Sequence, residues 1–297
     1  MPTTGEAAVA DAPNLLPGTP ALFCYRRWEK LLPELAMRYK AAVPYPHIHL
    51  VNLFNEDVIV KIAEEFPKPH ETEWTHYNHL NEKKLGNPKR DEFPRHIGEL
   101  VDELNSSRFV EFLSRLTGIP GLLPDAMLEG GGMHQITRGG FLNIHADFSK
   151  HHYHHNWRRR CNLLIYLNKN WNPEWGGALE LWDKTMTNCV EKIVPEYNHA
   201  VIFNTDAHSF HGHPDRLSCP PDVYRRSLAL YYYTEDNDHK SVSRSTDYRP
   251  RPCDSKLKST LIWLDKQALH LYSRAKVKFG FSDRLFSRVV RFLARDK

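Results

Sequence analysis

The stretch from about residue 128 to 234 constrains the fold of this 297-residue chain more than any other part. It consists of short apolar runs separated by Gly, Pro, Asn and Asp, namely MHQIT, GFLNIHADF, CNLLIYLN, GALELWD, EKIVP, HAVIFNT and RSLALYYYT. Many short strands with turn residues between them are typical of β-sandwiches and jelly-roll barrels. The sequence therefore predicts a β-core in this region.

Helical patterns flank the predicted β-core. Those before it are FCYRRWEKLLPELAMRYKAA, EDVIVKIAEEF, HIGELVDELN and RFVEFLSRLTG, and those after it are KSTLIWLDKQALHLYSRAKVKF and SDRLFSRVVRFLAR. We also predict a short strand at residues 47–53 and a long surface loop over residues 67–94, which are mostly polar. The predicted fold class is α+β, with helices leading and a β-core following.

Charge and composition divide the chain into three parts. Residues 1–20 are small, Pro-rich and polar, which predicts a flexible leader. Residues 21–238 form the predicted globular domain. Residues 239–297 form a basic, mostly helical extension, with 15 Lys and Arg against 5 Asp and Glu. The five cysteines are scattered and form no Cys-x-x-Cys pair, so a reducing, cytoplasmic location is expected.

The run GGFLNIHADF carries the chemistry. Because side chains alternate along a strand, Asn143, His145 and Asp147 share one face. His and Asp at this spacing can bind one metal ion, and a later His would complete a set of two His and one carboxylate. That set leaves coordination positions open and suits non-haem Fe(II). The later histidine candidates are His208, His211 and His213.

A candidate anion-binding arginine follows these histidines. Arg225 and Arg226 precede the strand SLALYYYT, and a guanidinium there can hold a carboxylate in a bidentate pair. Arg225 and Ser227 share one face of the strand, which makes them a candidate anion seat. The run HHYHHNWRRR, between the two sets, is interpreted as a surface loop at the rim of the site.

The order of these motifs resembles that of iron(II)/2-oxoglutarate oxygenases of the prolyl 4-hydroxylase-like branch. The matching runs are GGFLNIHADF, NLLIYLNKNW, WGGALELWD, VIFNTDAHSFHGHP and RRSLALYYY, and the resemblance spans roughly residues 45–235. It implies a double-stranded β-helix, or jelly roll, with supporting helices. It also implies Fe(II), 2-oxoglutarate as co-substrate, O2, and ascorbate as a reductant.

The resemblance assigns roles by position. It implies that His145, Asp147 and His211 bind the iron and that Arg225 and Tyr166 bind the distal carboxylate of 2-oxoglutarate.

Two alternatives stay open, and two further residues are expected at the site. The long segment between the histidines and the arginines leaves Arg226 as an alternative to Arg225, and His208 or His213 as an alternative third iron ligand. Gln135 and Asn143, predicted on neighbouring strands, are expected to line the pocket.

The expected function is hydroxylation of an unactivated C–H bond, of a prolyl or other amino-acid residue, with release of succinate and CO2. The substrate classes considered are a peptide or protein residue, a free amino acid, and a glycan- or lipid-linked small molecule. The alternatives are a non-catalytic jelly-roll protein that binds a metal or ligand, and a protein recruited to a membrane surface by its basic tail. Nucleic acid is not an expected partner, because no nucleic-acid-binding module is visible.

Overall fold

The computed structural model describes residues 21–236 and 243–279, with side chains up to residue 267. Within these residues the helices are α1 (Tyr25–Ala41), α2 (Glu56–Glu65), α3 (Arg95–Leu104), α4 (Ser107–Thr117) and α5 (Lys256–Phe279). The strands there are β1 (His47–Val51), β2 (Thr75–Asn78), β3 (Glu82–Asn87), β4 (Leu123–Pro124), β5 (Gly132–Ile136), β6 (Phe141–Ala146), β7 (Trp157–Tyr166), β8 (Leu179–Trp182), β9 (Cys189–Ile193), β10 (His199–Asn204), β11 (His211–His213), β12 (Arg225–Glu235) and β13 (Asp247–Tyr248).

The strands form one antiparallel sheet that curls into a nearly closed barrel. Its order is β1-β10-β7-β12-β5-β3-β6-β11-β8-β9, with β4, β2 and β13 attached at the side. Such a barrel with helices on one side is a jelly roll, so the predicted fold class is confirmed.

Side chains that alternate along β7 contribute to two apolar clusters, one against the helices and one inside the barrel. Leu163 and Ile165 face outward into the core formed with helices α1–α4. Leu164 and Tyr166 face inward, where Tyr166 packs with Phe203 of β10. Since every second side chain points to the opposite face, one strand serves the helix layer and the barrel interior together.

The long surface loop predicted over residues 67–94 is wrong, because this segment contains the hairpin of β2 and β3. Strand β3 pairs with β2 along one edge. Along its other edge it pairs with β5 and then with β6, so it joins these two strands within the barrel. Two of its residues, Glu82 and Lys84, form an ion pair at 3.0 Å and line the interior cavity. Charged residues that face inward do not produce the apolar alternation by which a strand is recognised.

The C-terminal extension begins against the barrel. Strand β13 pairs with β6, and α5 follows it, in agreement with the first predicted tail helix. The predicted leader at residues 1–20 and the second tail helix, at residues 282–295, lie outside the described residues. In the described part of the chain no helix has the length and apolar character needed to cross a bilayer.

His79 joins the hairpin to the C-terminal helix. Its Nδ1 lies 2.8 Å from Asp265 of α5, and its Nε2 lies 2.9 Å from Glu82. The ring of Tyr248 in β13 packs at 6.1 Å from the imidazole. Burial alone would lower the pKa of His79, but Asp265 and Glu82 raise it from 6.5 to about 9. The imidazole is therefore protonated at neutral pH and links two carboxylates.

This linkage predicts a pH-dependent effect of His79→Gln. The pKa of His79 is higher in the folded than in the unfolded chain, so its stabilisation is complete below pH 6.5 and is lost as pH rises past about 9. The shift corresponds to roughly 3 kcal/mol. We expect the difference in free energy of unfolding between wild type and variant, measured by urea titration, to shrink from pH 6 to pH 10. His70→Gln, at a side chain that is 75% exposed, is the control. If the difference in free energy of unfolding between wild type and His79→Gln does not change with pH, the proposed linkage through His79 is wrong.

Candidate metal centre

Three potential metal ligands converge where β6 meets β11. The antiparallel register sets His145 opposite His211, and Asp147 follows directly after β6. Among the described residues these three form the one group of His, Cys, Asp or Glu whose donor atoms lie within 4.8 Å of one another. Gly212 allows the close approach, because a Cβ there would lie 2.8 Å from the carbonyl oxygen of Asn143.

Backbone carbonyls orient both imidazoles. The Nδ1 atom of His145 lies 2.9 Å from the oxygen of Asn143, and that of His211 lies 2.9 Å from the oxygen of Ser209. An Nδ1–H that donates to a carbonyl leaves the Nε2 lone pair free for a metal. Burial lowers the pKa of His211 to about 4, so its ring is neutral at physiological pH.

The carboxylate of Asp147 is held by two polar side chains. Its Oδ2 lies 3.0 Å from Nη2 of Arg159 and accepts a hydrogen bond from Nδ2 of Asn162 at 2.8 Å. Arg159 also donates from Nε to Asn162 at 2.9 Å and stacks 3.4 Å from the ring centre of Tyr231. Burial alone would raise the pKa of Asp147, but Arg159 and the two neighbouring imidazoles lower it well below its ordinary value.

The donor set fits a divalent transition metal. It offers two imidazole nitrogens and one ionised carboxylate from one side of a cavity, which leaves the other coordination positions open. The cavity has a volume of about 180 Å³ and is lined by both polar and apolar side chains. Fe(II) with exchangeable ligands suits this arrangement better than a structural Zn(II), whose four positions protein side chains usually fill.

The competing histidines lie elsewhere. His208 is exposed, on the loop before β11, and lines a surface groove rather than the cavity. His213 is buried and does line the cavity, but it lies opposite Leu142 and outside the group of converging donors. The geometry therefore favours His211 as the third ligand.

A buried guanidinium faces the same cavity. Arg225 is 4% exposed, donates from Nε to the carbonyl oxygen of Gly177 at 2.7 Å, and lies 5.0 Å from the ring centre of Tyr166. Ser227 lines the cavity beside it and is paired in register with Tyr166. Within the described residues no carboxylate lies at ion-pair distance from Arg225. A buried charge without a partner is costly, so this seat suits an anionic ligand.

Arg226, the alternative anchor, points away from the cavity. Its Nε lies 3.3 Å from Oε1 of Gln135, and its side chain lines a different surface pocket. The structure thus brings Arg225, not Arg226, to the cavity.

The prediction that Gln135 and Asn143 line the pocket is wrong. Neither lines the cavity. On β5 the adjacent His134 and Ile136 face inward, so Gln135 faces away, and on β6 a register irregularity lets Leu142 and His145 face inward while Asn143 does not. Gln135 contacts Arg226, and Asn143 donates to Asn81 at 3.1 Å.

Two residues of the run HHYHHNWRRR depart from the predicted surface loop. His151 is buried 3.3 Å from Asp125, so the run is not entirely a surface loop. Arg159 reaches Asp147 because the β7–β12 register shifts at Arg160, which pairs with no residue of β12. Such a bulge reverses the alternation and turns Arg159 inward. Sequence alternation alone assigns Arg159 to the wrong face.

Residues 131–233 match the family described as the 2OG-Fe(II) oxygenase superfamily. This region of the chain is similar to that superfamily. The match contains the three converging ligands, Arg225 and Ser227, and it confirms the predicted enzyme class, a 2-oxoglutarate-dependent oxygenase. No curated protein matches the chain significantly.

Solved structures show a similar fold at low sequence identity. The prolyl 4-hydroxylase structure from Phytophthora capsici has a TM-score of 0.50 and 14% identity, covering 97% of this chain and 100% of that one. The Pseudomonas putida prolyl-4-hydroxylase has a TM-score of 0.48 and 16% identity, with coverages of 68% and 100%. A prolyl hydroxylase from Trichoplax adhaerens has a TM-score of 0.48 and 18% identity, with coverages of 70% and 91%. At these identities the likeness concerns the fold alone.

The geometry predicts which histidine substitution removes the metal. We expect His211→Ala to weaken Mn(II) binding by more than about 100-fold, because losing even an outer partner of a ligand costs 10–100-fold. Isothermal titration of Mn(II) into the purified protein measures this. His208→Ala and His213→Ala are the matched controls, and a loss in either as large as in His211→Ala would contradict the assignment.

Proposed function

We propose that this oxygenase uses Fe(II), 2-oxoglutarate and O2 to hydroxylate an unactivated C–H bond, with release of succinate and CO2. The observation that carries the proposal is a buried Arg225, without a carboxylate partner in the described part of the chain, in the same cavity as three converging metal ligands. A dianionic co-substrate that reaches from the metal to a guanidinium satisfies both ends of that cavity.

His145, Asp147 and His211 hold the iron in this proposal. Iron, when bound with its co-substrate, supplies the oxygen activation that C–H hydroxylation requires. The protein supplies rigid ligands. The carbonyl contacts fix both imidazoles, and Arg159 with Asn162 keeps the carboxylate ionised and oriented.

Arg225 binds the distal carboxylate of 2-oxoglutarate, with Ser227 and Tyr166 beside it. A guanidinium pairs with a carboxylate in two parallel hydrogen bonds, which fixes the direction of the bound molecule as well as its affinity. Leu164 and Leu179 line the same cavity and exclude water from the space between the two ends. A dry, low-dielectric cavity strengthens both charge contacts.

The substrate is proposed to be a prolyl or other amino-acid residue in a peptide or protein. This rests on the sequence resemblance to the prolyl 4-hydroxylase-like branch, since function lies in the site rather than in the fold. Free amino acids and glycan- or lipid-linked small molecules are the other substrate classes to test, with ascorbate as the reductant. Proline-containing peptides, free proline and sugars, assayed by mass spectrometry under ¹⁸O2, separate these classes. Labelled oxygen in no candidate product would argue against hydroxylation.

Arg225→Ala tests the co-substrate seat. Truncating one partner of a buried charge pair costs about 2–5 kcal/mol, so we expect the Kd of 2-oxoglutarate for the Mn(II)-loaded protein to rise by about 30-fold or more. Succinate formation by the Fe(II) protein falls in parallel and is recovered by excess 2-oxoglutarate. Arg226→Ala is the control, because that side chain points out of the cavity. If the two variants lose the same affinity for 2-oxoglutarate, or if Arg225→Ala loses none, Arg225 does not bind the co-substrate.

A further inference from the structure

The segment after the barrel returns to the strand that carries the first metal ligands. In the β13–β6 pairing Tyr248 lies opposite His145 and Asp247 opposite Ala146. The backbone N–H of Arg249 donates to the carbonyl of Ile144 at 2.8 Å. Strand β3 pairs only with the beginning of β6, so β13 completes the sheet beside His145.

Tyr248 contacts a metal ligand through its ring. It is 5% exposed, and its ring centre lies 5.4 Å from that of His145. The imidazole of His145 also contacts that of His211, with ring centres 4.5 Å apart. Tyr248 lines the metal cavity together with Thr246 of the same segment. The C-terminal segment therefore forms one wall of the cavity.

Helix α5 holds this wall in place from the far side. Asp265 binds His79 at 2.8 Å and accepts a hydrogen bond from Asn81 at 2.6 Å. The next residue, Lys266, pairs with Asp247 of β13. Ile262 is buried at the same junction. Side-chain contacts thus run from the helix through His79 and Tyr248 to the metal ligand.

We propose that Tyr248 is a positioning residue for His145 and that α5 holds it there. Removing the ring leaves one flank of the imidazole without packing, so the Nε2 atom no longer points in a single direction. The segment from residue 244 to residue 266 then belongs to the active site and is not an accessory tail. This inference rests on the proposed function, because it concerns the same metal ligands.

Mn(II) affinity and the Co(II) absorption spectrum test the proposal. We expect Tyr248→Leu to raise the Kd of Mn(II) by about 10- to 100-fold, the range seen when outer partners of ligands are lost, and to change the Co(II) d–d bands. Tyr248→Phe keeps the ring, so we expect its Mn(II) affinity and its Co(II) spectrum to match those of the wild type. A structural role alone would lower stability without moving the Co(II) bands of the folded protein.

A second pair of variants covers the case in which Tyr248→Leu fails to fold. Asp265→Asn lies on α5, away from the metal, and is expected to weaken Mn(II) binding in the same direction by a smaller factor. Trp263→Ala on the same helix, at a side chain that is 57% exposed, leaves the affinity unchanged. If wild type binds Mn(II) and both Tyr248→Leu and Asp265→Asn match it, the positioning role is wrong and the proposed function stands. If wild type binds no divalent metal, the proposed function fails and the positioning role fails with it.

Discussion

The register between β6 and β11 sets the Cα atoms of His145 and His211 opposite each other, and the rest of the site depends on that pairing. A slip of one residue would turn every side chain of a strand to the other face. One of the two imidazoles would then leave the cavity, and only two of the three donors would remain together. Gly212 keeps the strands close, and the carbonyls of Asn143 and Ser209 set both rings. One backbone interaction therefore positions all three donors.

Charge compensation inside the cavity divides its residues into two kinds. Asp147 is paired with Arg159, and Glu82 is paired with Lys84, so each of these buried charges has its partner within the protein. Arg225 contacts a backbone carbonyl and the ring of Tyr166, and among the residues that the structure describes it has no carboxylate partner. Buried charges are tolerated when paired, so the one left unpaired marks where a ligand supplies the opposite charge.

The sequence predicts the parts of the fold that follow simple periodicity and misses the parts where local chemistry breaks it. The aliphatic strands and the helices α1–α5 were recognisable, and so were His145, Asp147 and their possible partners. The hairpin is not predicted because Glu82 faces the interior, and the contact of Arg159 with Asp147 depends on a bulge in β7 that the sequence does not reveal. Gln135 does not line the pocket although β5 does, because His134 and Ile136 occupy the inward face, and a single sequence does not tell which face of a strand points inward.

Because β13 and α5 follow the metal ligands in the chain, the cavity wall that they form is synthesised last. During synthesis the three donors leave the ribosome before β13 and α5, because the chain is made from its N-terminal end. The wall formed by Tyr248 and the anchor at Asp265 arrive later. The nascent site is therefore open on one flank until the C-terminal helix emerges, and metal that enters in that interval meets a wider, wetter cavity than the finished protein offers.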